Sequence, residues 1–201
     1  VDHCKYFQTS GWAESKNESE GSPGTDRRKE GELTDHRPDL VNMAVDIPEL
    51  DQPGNRGLLR TSWFPLAMTS PVLFIVIMLL AASNHASVRS PPSDVSEYNN
   101  QIVKQRLLGL RCEAMRAINQ ALSSQPTHAS VSDAIIGAIA KMASYEAMYG
   151  TLENYRVHMR ALVRAVELRG GLESLGLNGL LRRIVVWIDR NGAFLHGSEL
   201  Y

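Results

Sequence analysis

The sequence is short of sulfur, of aromatic rings and of net charge, and each shortage narrows the classes of protein open to it. Cysteine occurs twice in 201 residues, at Cys4 and Cys112. A disulfide framework or a structural zinc site needs more thiols at closer spacing, and such sparse usage suits a reducing, intracellular compartment. Aromatic residues make up only 6% of the chain, although a hydrophobic share of 43% is still enough for a core. The formal net charge of −1 argues against a strong electrostatic grip on nucleic acid. Residues 1–30 contain no apolar run of the signal-peptide kind. The most apolar stretch, Val72–Ala82, is 11 residues long, whereas a membrane span needs roughly 20.

The missing chemistry is as informative. The six histidines, His3, His36, His85, His128, His158 and His196, are scattered, and no two share the four-residue spacing that puts two imidazoles on one helical face. Gly170-Gly171 has neither a preceding strand nor a lysine partner, so it is no phosphate loop. No serine sits in a nucleophile-elbow pattern. Glu146, Glu153 and Glu173 lie near expected helix ends, where surface roles prevail, and nothing makes two carboxylates converge. The residues therefore offer no catalytic, cofactor-binding or metal site, and an enzyme is not expected.

What is present divides the chain in two. Residues 1–60 carry 8 basic against 12 acidic side chains, residues 61–201 carry 13 against 10. Residues 1–39 are polar and lack apolar periodicity, which cannot offset chain entropy, so they are expected to form a disordered tail. Arg27-Arg28-Lys29 is a short basic run diluted by Asp26, Glu30 and Glu32, and Asn17-Glu18-Ser19 is a lone glycosylation sequon in that tail. Leu40–Ile47 is mildly amphipathic and stops at Pro48, and Pro53-Gly54 with Asn55-Arg56-Gly57 marks a loop.

From there to Tyr201 the pattern is helical. Ser70 and Pro71 open a helix through the Val72–Ala82 run, whose all-round apolarity fits a domain interior, the alternative being a membrane-associated helical protein anchored through residues 71–82. After the Ser90–Ser93 linker, Asp94 and Glu97 begin a long helix to about Leu122. Its expected stripe is Tyr98, Ile102, Gln105, Leu108, Cys112, Met115, Ile118 and Leu122, with Cys112 a small buried hydrophobe. Gln125-Pro126 ends it. Ser130 and Asp133 start a third helix carrying Ile135, Ile139, Met142, Glu146 and Tyr149. Gly150 is expected to close it as a left-handed cap, and Thr151 to cap the next helix, with stripe Leu152, Tyr155, Met159, Leu162 and Val166. Gly170-Gly171 ends that helix, and a turn at Gly176–Gly179 precedes Leu180, Leu181, Ile184, Trp187 and Ile188. Asn191-Gly192 is expected to stop the last helix. No segment alternates with a period of two. The expectation is an all-α fold: an irregular multi-helix array of about five to six helices over residues 40–201, behind the disordered tail. Arg156, Arg160 and Arg164 line one face and, with Arg182 and Arg183, form a candidate basic surface, but the line borders the apolar stripe and reads as a solvated face. His158 beside its helix's stripe reads as a partly buried histidine.

An ordered series of fragments then points further. Arg60–Thr69, Leu79–Ser83, Ser132–Ala140, Ala143–Gly150, His158–Leu162, Leu168–Leu172 and Gly179–Asp189 together resemble the fungal-specific transcription factor domain, over about residues 40–201. The resemblance implies an all-helical regulatory region of a nuclear protein, acting in transcriptional regulation through protein partners, self-association or a small-molecule effector. That region often follows a binuclear zinc cluster of six closely spaced cysteines. Those cysteines are absent here, so direct DNA binding by that route does not carry over. Such domains usually continue past the tryptophan helix, so the chain is expected to hold the front part of one, leaving an apolar stripe for a partner or a second copy to cover.

Overall fold

The computed structural model describes residues 57–88, 97–124 and 131–201. Among the described residues every regular element is helical. A π-helical stretch, Leu59–Trp63, runs directly into α1 (Phe64–Thr69). Then follow α2 (Pro71–Val88), α3 (Glu97–Ser123), α4 (Asp133–Tyr149), α5 (Leu152–Arg169) and α6 (Leu180–His196), with two 3-10 turns, Leu172–Ser174 and Leu177–Gly179, between α5 and α6. The expected tail, the Leu40–Ile47 segment, the Ser90–Ser93 linker and the Gln125-Pro126 break lie outside the described residues.

Helix α4 is the hub, and its composition explains why. Alanine, glycine and branched apolar residues leave it almost no polar face, so α2, α3, α5 and α6 all pack on it. Every residue from Ile135 to Glu146 is buried except Lys141. Gly137 lets the Trp63 ring come down onto the helix: a Cβ there would lie 3.0 Å from the indole. The Ser132 hydroxyl accepts the Ile135 amide at 3.4 Å and so caps α4, two residues beyond the expected Ser130.

Helix α2 is apolar on all sides, and with 18 residues at a mean hydropathy of 1.8 it is long and apolar enough to cross a membrane. Here one face of it packs into the core and the rest is partly covered or exposed. Leu73, Val76, Leu79 and Leu80 are buried, and α3 and α4 pack along it. Ser70 caps it as expected, accepting the Leu73 amide at 3.4 Å. The helical turns of Leu59–Thr69 before it, which the sequence reading left unassigned, bury Leu59, Trp63 and Ala67.

Helix α3 corrects its expected stripe. The packed face is Leu110, Ala114, Met115, Ile118 and Ala121, so Met115 and Ile118 lie where expected, while Leu108 is 57% exposed and Cys112 is exposed. Beside Met115 and Ile118 the face turns toward Leu110, Ala114 and Ala121 instead of Leu108 and Cys112, because the contact runs through two alanines, which let α3 lie close to its neighbours. Cys112 is therefore no core hydrophobe.

Two glycine readings also change. Gly150 has φ −107° and ψ −137°, so it is not left-handed; its role appears below. Gly192 does not stop α6, which continues to His196. It gives room to the Tyr155 phenol, which a Cβ would overlap. The cap of α5 is as expected: Gly170 is left-handed, and its amide and that of Gly171 bond the carbonyls of Glu167 and Val166 at 2.9 Å each. Thr151 likewise caps α5, accepting the Asn154 amide at 3.2 Å.

Candidate functional site

Four helices bring polar groups together where α2, α3, α4 and α5 meet. α4 contributes Tyr145 and Glu146, α3 contributes Arg111, α2 contributes Ser83 and α5 contributes His158. Glu146 follows Ile135, Ile139 and Met142 on the apolar stripe, and the helical period carries it inward. Its side chain is fully buried. That corrects the expected surface role, which Glu173 does keep, 80% exposed in its 3.1 Å pair with Arg182.

A buried carboxylate is costly unless paired. Arg111 reaches it from α3, placing Nε at 2.7 Å and one terminal nitrogen at 2.6 Å, both on the same oxygen, Oε1. The guanidinium is 30% exposed, so the pair joins the interior to the surface. Oε2 accepts no hydrogen bond among the described residues. It lies against Gly150, where a Cβ would overlap it. That close approach, rather than a left-handed backbone, explains the glycine at the α4–α5 corner.

The surrounding groups respond to this pair. Burial pushes the Tyr145 phenol up, the Glu146 charge adds to the shift, and Arg111 opposes it. The Ser83 hydroxyl, buried without a well-formed hydrogen bond, sits close enough to oppose it too. His158 is buried, as expected, and burial holds its imidazole below the ordinary value; Glu146 pulls it up and Arg111 pulls it down. Nearby, the Tyr149 hydroxyl donates to Asn84 Oδ1 at 3.5 Å, a second tie between α4 and α2.

A second polar knot fastens the far end of α4. Arg169 pairs with Asp133 Oδ1 at 3.1 Å and donates to the Val131 carbonyl at 3.1 Å, while the Gly176 amide donates to Asp133 Oδ1 at 3.4 Å. A third lies at α5–α6. There Tyr155 donates to the Asp189 carbonyl at 3.4 Å, and the Tyr201 amide reaches both Asp189 carboxylate oxygens at 3.1 and 3.2 Å. Desolvation raises the Tyr155 phenol.

These groups clasp helices together. Among the described residues no group of three or more metal-ligating side chains is assembled. The arginine line is a solvated face: Arg156 and Arg160 are exposed, and Arg164 pairs with Glu167 at 3.1 Å. Arg183 departs from it, half-buried with its Nε enclosed. Sequence reasoning missed Arg111, Ser83 and Tyr145 as members of the cluster. The one signal was a charged residue, Glu146, in register with an apolar stripe.

No curated protein and no solved structure matches the chain. A family model does, the fungal specific transcription factor domain, over residues 52–201. That span takes in all six helices and all three polar knots, and with three quarters of its length matched, the chain belongs to the family of fungal-specific transcription factor domains.

Proposed function

We propose that this chain is a non-catalytic regulatory and interaction domain that modulates transcription in the nucleus through protein partners, self-association or a small effector. The observation that carries the reading is the family match across the whole bundle, residues 52–201. The geometry supports it, because the buried charged and polar groups are spent on helix-to-helix ties such as Arg111–Glu146. Two cysteines in 201 residues leave no binuclear zinc cluster within this stretch, so direct DNA contact is not part of the proposal. Residues 40–201 are the regulatory unit in this reading.

The test is to fuse residues 40–201 to an unrelated DNA-binding module in a fungal reporter strain. Reporter output should differ from that of the module alone, and Leu79→Asp, which places a charge in the core, should abolish the difference. Unchanged output from a fusion that is stable and nuclear would overturn the regulatory reading.

A further inference from the structure

From Thr61 to Asn84 the chain carries no charged side chain, and only part of that stretch is used inside the bundle. On α1, Ala67 is buried while Phe64 and Met68, one turn apart, are 37% and 52% exposed. On α2, Leu73, Val76, Leu79 and Leu80 are buried. Phe74 and Met78, one turn apart on the opposite side of that helix, are half-buried and lie outside the packed core. Only Ser70 separates the two helices, and they pack on each other. The outside of the α1–α2 pair is therefore apolar and free of charge. Two cations stand near its start. Arg60, about one turn before Phe64, is exposed, and the Lys141 ammonium lies 5.6 Å from the ring centroid of Trp63, the residue before Phe64. Neither joins an ion pair among the described residues.

We propose that this α1–α2 face is the docking surface for residues 40–51 of the same chain. That segment lies outside the described residues, and its sequence fits the face in both apolar content and charge. Leu40, Val41, Met43, Val45, Ile47 and Leu50 supply apolar side chains, while Asp46, Glu49 and Asp51 supply carboxylates with no base among them. The order fits as well. Running back along the face from Gly57, the carboxylates come first, beside Arg60, and the charge-free stretch 40–45 comes next, beside Phe64, Met68 and Phe74. Chain length allows it: about ten residues join Ile47 to Gly57, a reach of up to roughly 33 Å. Helical turns rise only about 1.5 Å per residue, which puts even Met78 within roughly 35 Å of Gly57 along the chain. Covering a face that carries no charge costs no ion desolvation, and Arg60 gains the carboxylates it lacks. A partner of this face must then displace the segment. Residues 40–51 precede the span matched by the family model, residues 52–201, and the inference goes beyond the regulatory reading without resting on it.

The test uses the 201-residue protein carrying Cys4→Ser and Cys112→Ser, with Met43→Cys and Met68→Cys as the only thiols, under mild oxidation. A disulfide should form between the two within single chains, at a rate independent of protein concentration, and peptide mass spectrometry locates it. Met43→Cys with Met78→Cys should behave alike and repeats the measurement from α2. Adding Leu40→Ser, Val45→Ser and Ile47→Ser keeps the tether length and alters no residue of the bundle. It should slow the link at least ~5-fold through lost apolar burial. Asp46→Lys, Glu49→Lys and Asp51→Lys should slow it ~2–3-fold at low salt and less at high salt. Equal rates in the parent and the serine variant would overturn the proposal, because the tether alone would then account for the link. A link found only between two chains would overturn it as well, assigning the face to a second copy.

Discussion

A single carboxylate sets the character of the α4–α5 corner. Glu146 is fully buried and paired with Arg111, and Gly150 is glycine because Oε2 occupies the space of a side chain. Removing only one member of a buried pair leaves a naked charge, so Arg111→Met should cost about 3–5 kcal/mol in urea denaturation. Arg111→Met combined with Glu146→Leu should recover most of that loss, because both charges are then gone. A single-mutant cost below about 1 kcal/mol would show that water already reaches Glu146. Gly150→Ala should cost about 1–3 kcal/mol through overlap with the carboxylate. That cost should shrink when Glu146→Ala is also present, a coupling that a left-handed glycine would not show. From sequence, the glycine and the glutamate were both visible, but their contact was not: four residues apart along a helix gives proximity without saying which oxygen faces which backbone atom.

At the level of elements, helix existence was legible and helix orientation only partly so. Caps were read correctly where one side chain and one amide decide the matter, as at Ser70, Thr151 and Gly170. Rotation about the axis failed for α3, because the sequence shows large side chains but not which neighbour will be close enough to prefer alanine. The corrected face makes a direct test. Leu110→Ala, on the packed face and off the expected stripe, should lower stability by about 1–3 kcal/mol, whereas Leu108→Ala should change it by no more than about 0.5 kcal/mol. The opposite order, read from urea midpoints, would restore the stripe drawn through Leu108 and Cys112. Gly192 in α6 was misread as a stop for a related reason. Gly137 and Gly192 sit inside helices to admit Trp63 and Tyr155, and a close approach between elements leaves no local mark.

For the molecule as a whole, the same buried junction makes stability depend on pH. Desolvation lowers His158, on α5, and His196, at the end of α6, below their ordinary values, the latter with help from the Arg156 charge. For each, the unfolded chain binds a proton at a pH where the folded chain does not. Their neutral forms are therefore accommodated above about pH 6.5, and stability is lost as pH falls below it toward the lowered folded values, by at most about 1.4 kcal/mol per pH unit for each histidine. Asp189 works in the opposite direction: burial raises it, so the folded state keeps a proton that the unfolded chain has released, which favours folding on the acid side. His158 should dominate between about pH 7.5 and 5.5, because its ring is enclosed at the meeting point of four helices whereas His196 is near the surface. The charged groups acting on it are Glu146 on α4, which attracts the imidazolium, and Arg111 on α3, which repels it. The urea midpoint should therefore fall on acidification over that interval, and His158→Gln should flatten the fall while leaving the value near pH 7.5 within about 1–2 kcal/mol of the parent. An undiminished fall in the variant would transfer the effect to His196 or to the carboxylates, and with it the claim that the four-helix junction is the acid-sensitive part of the domain.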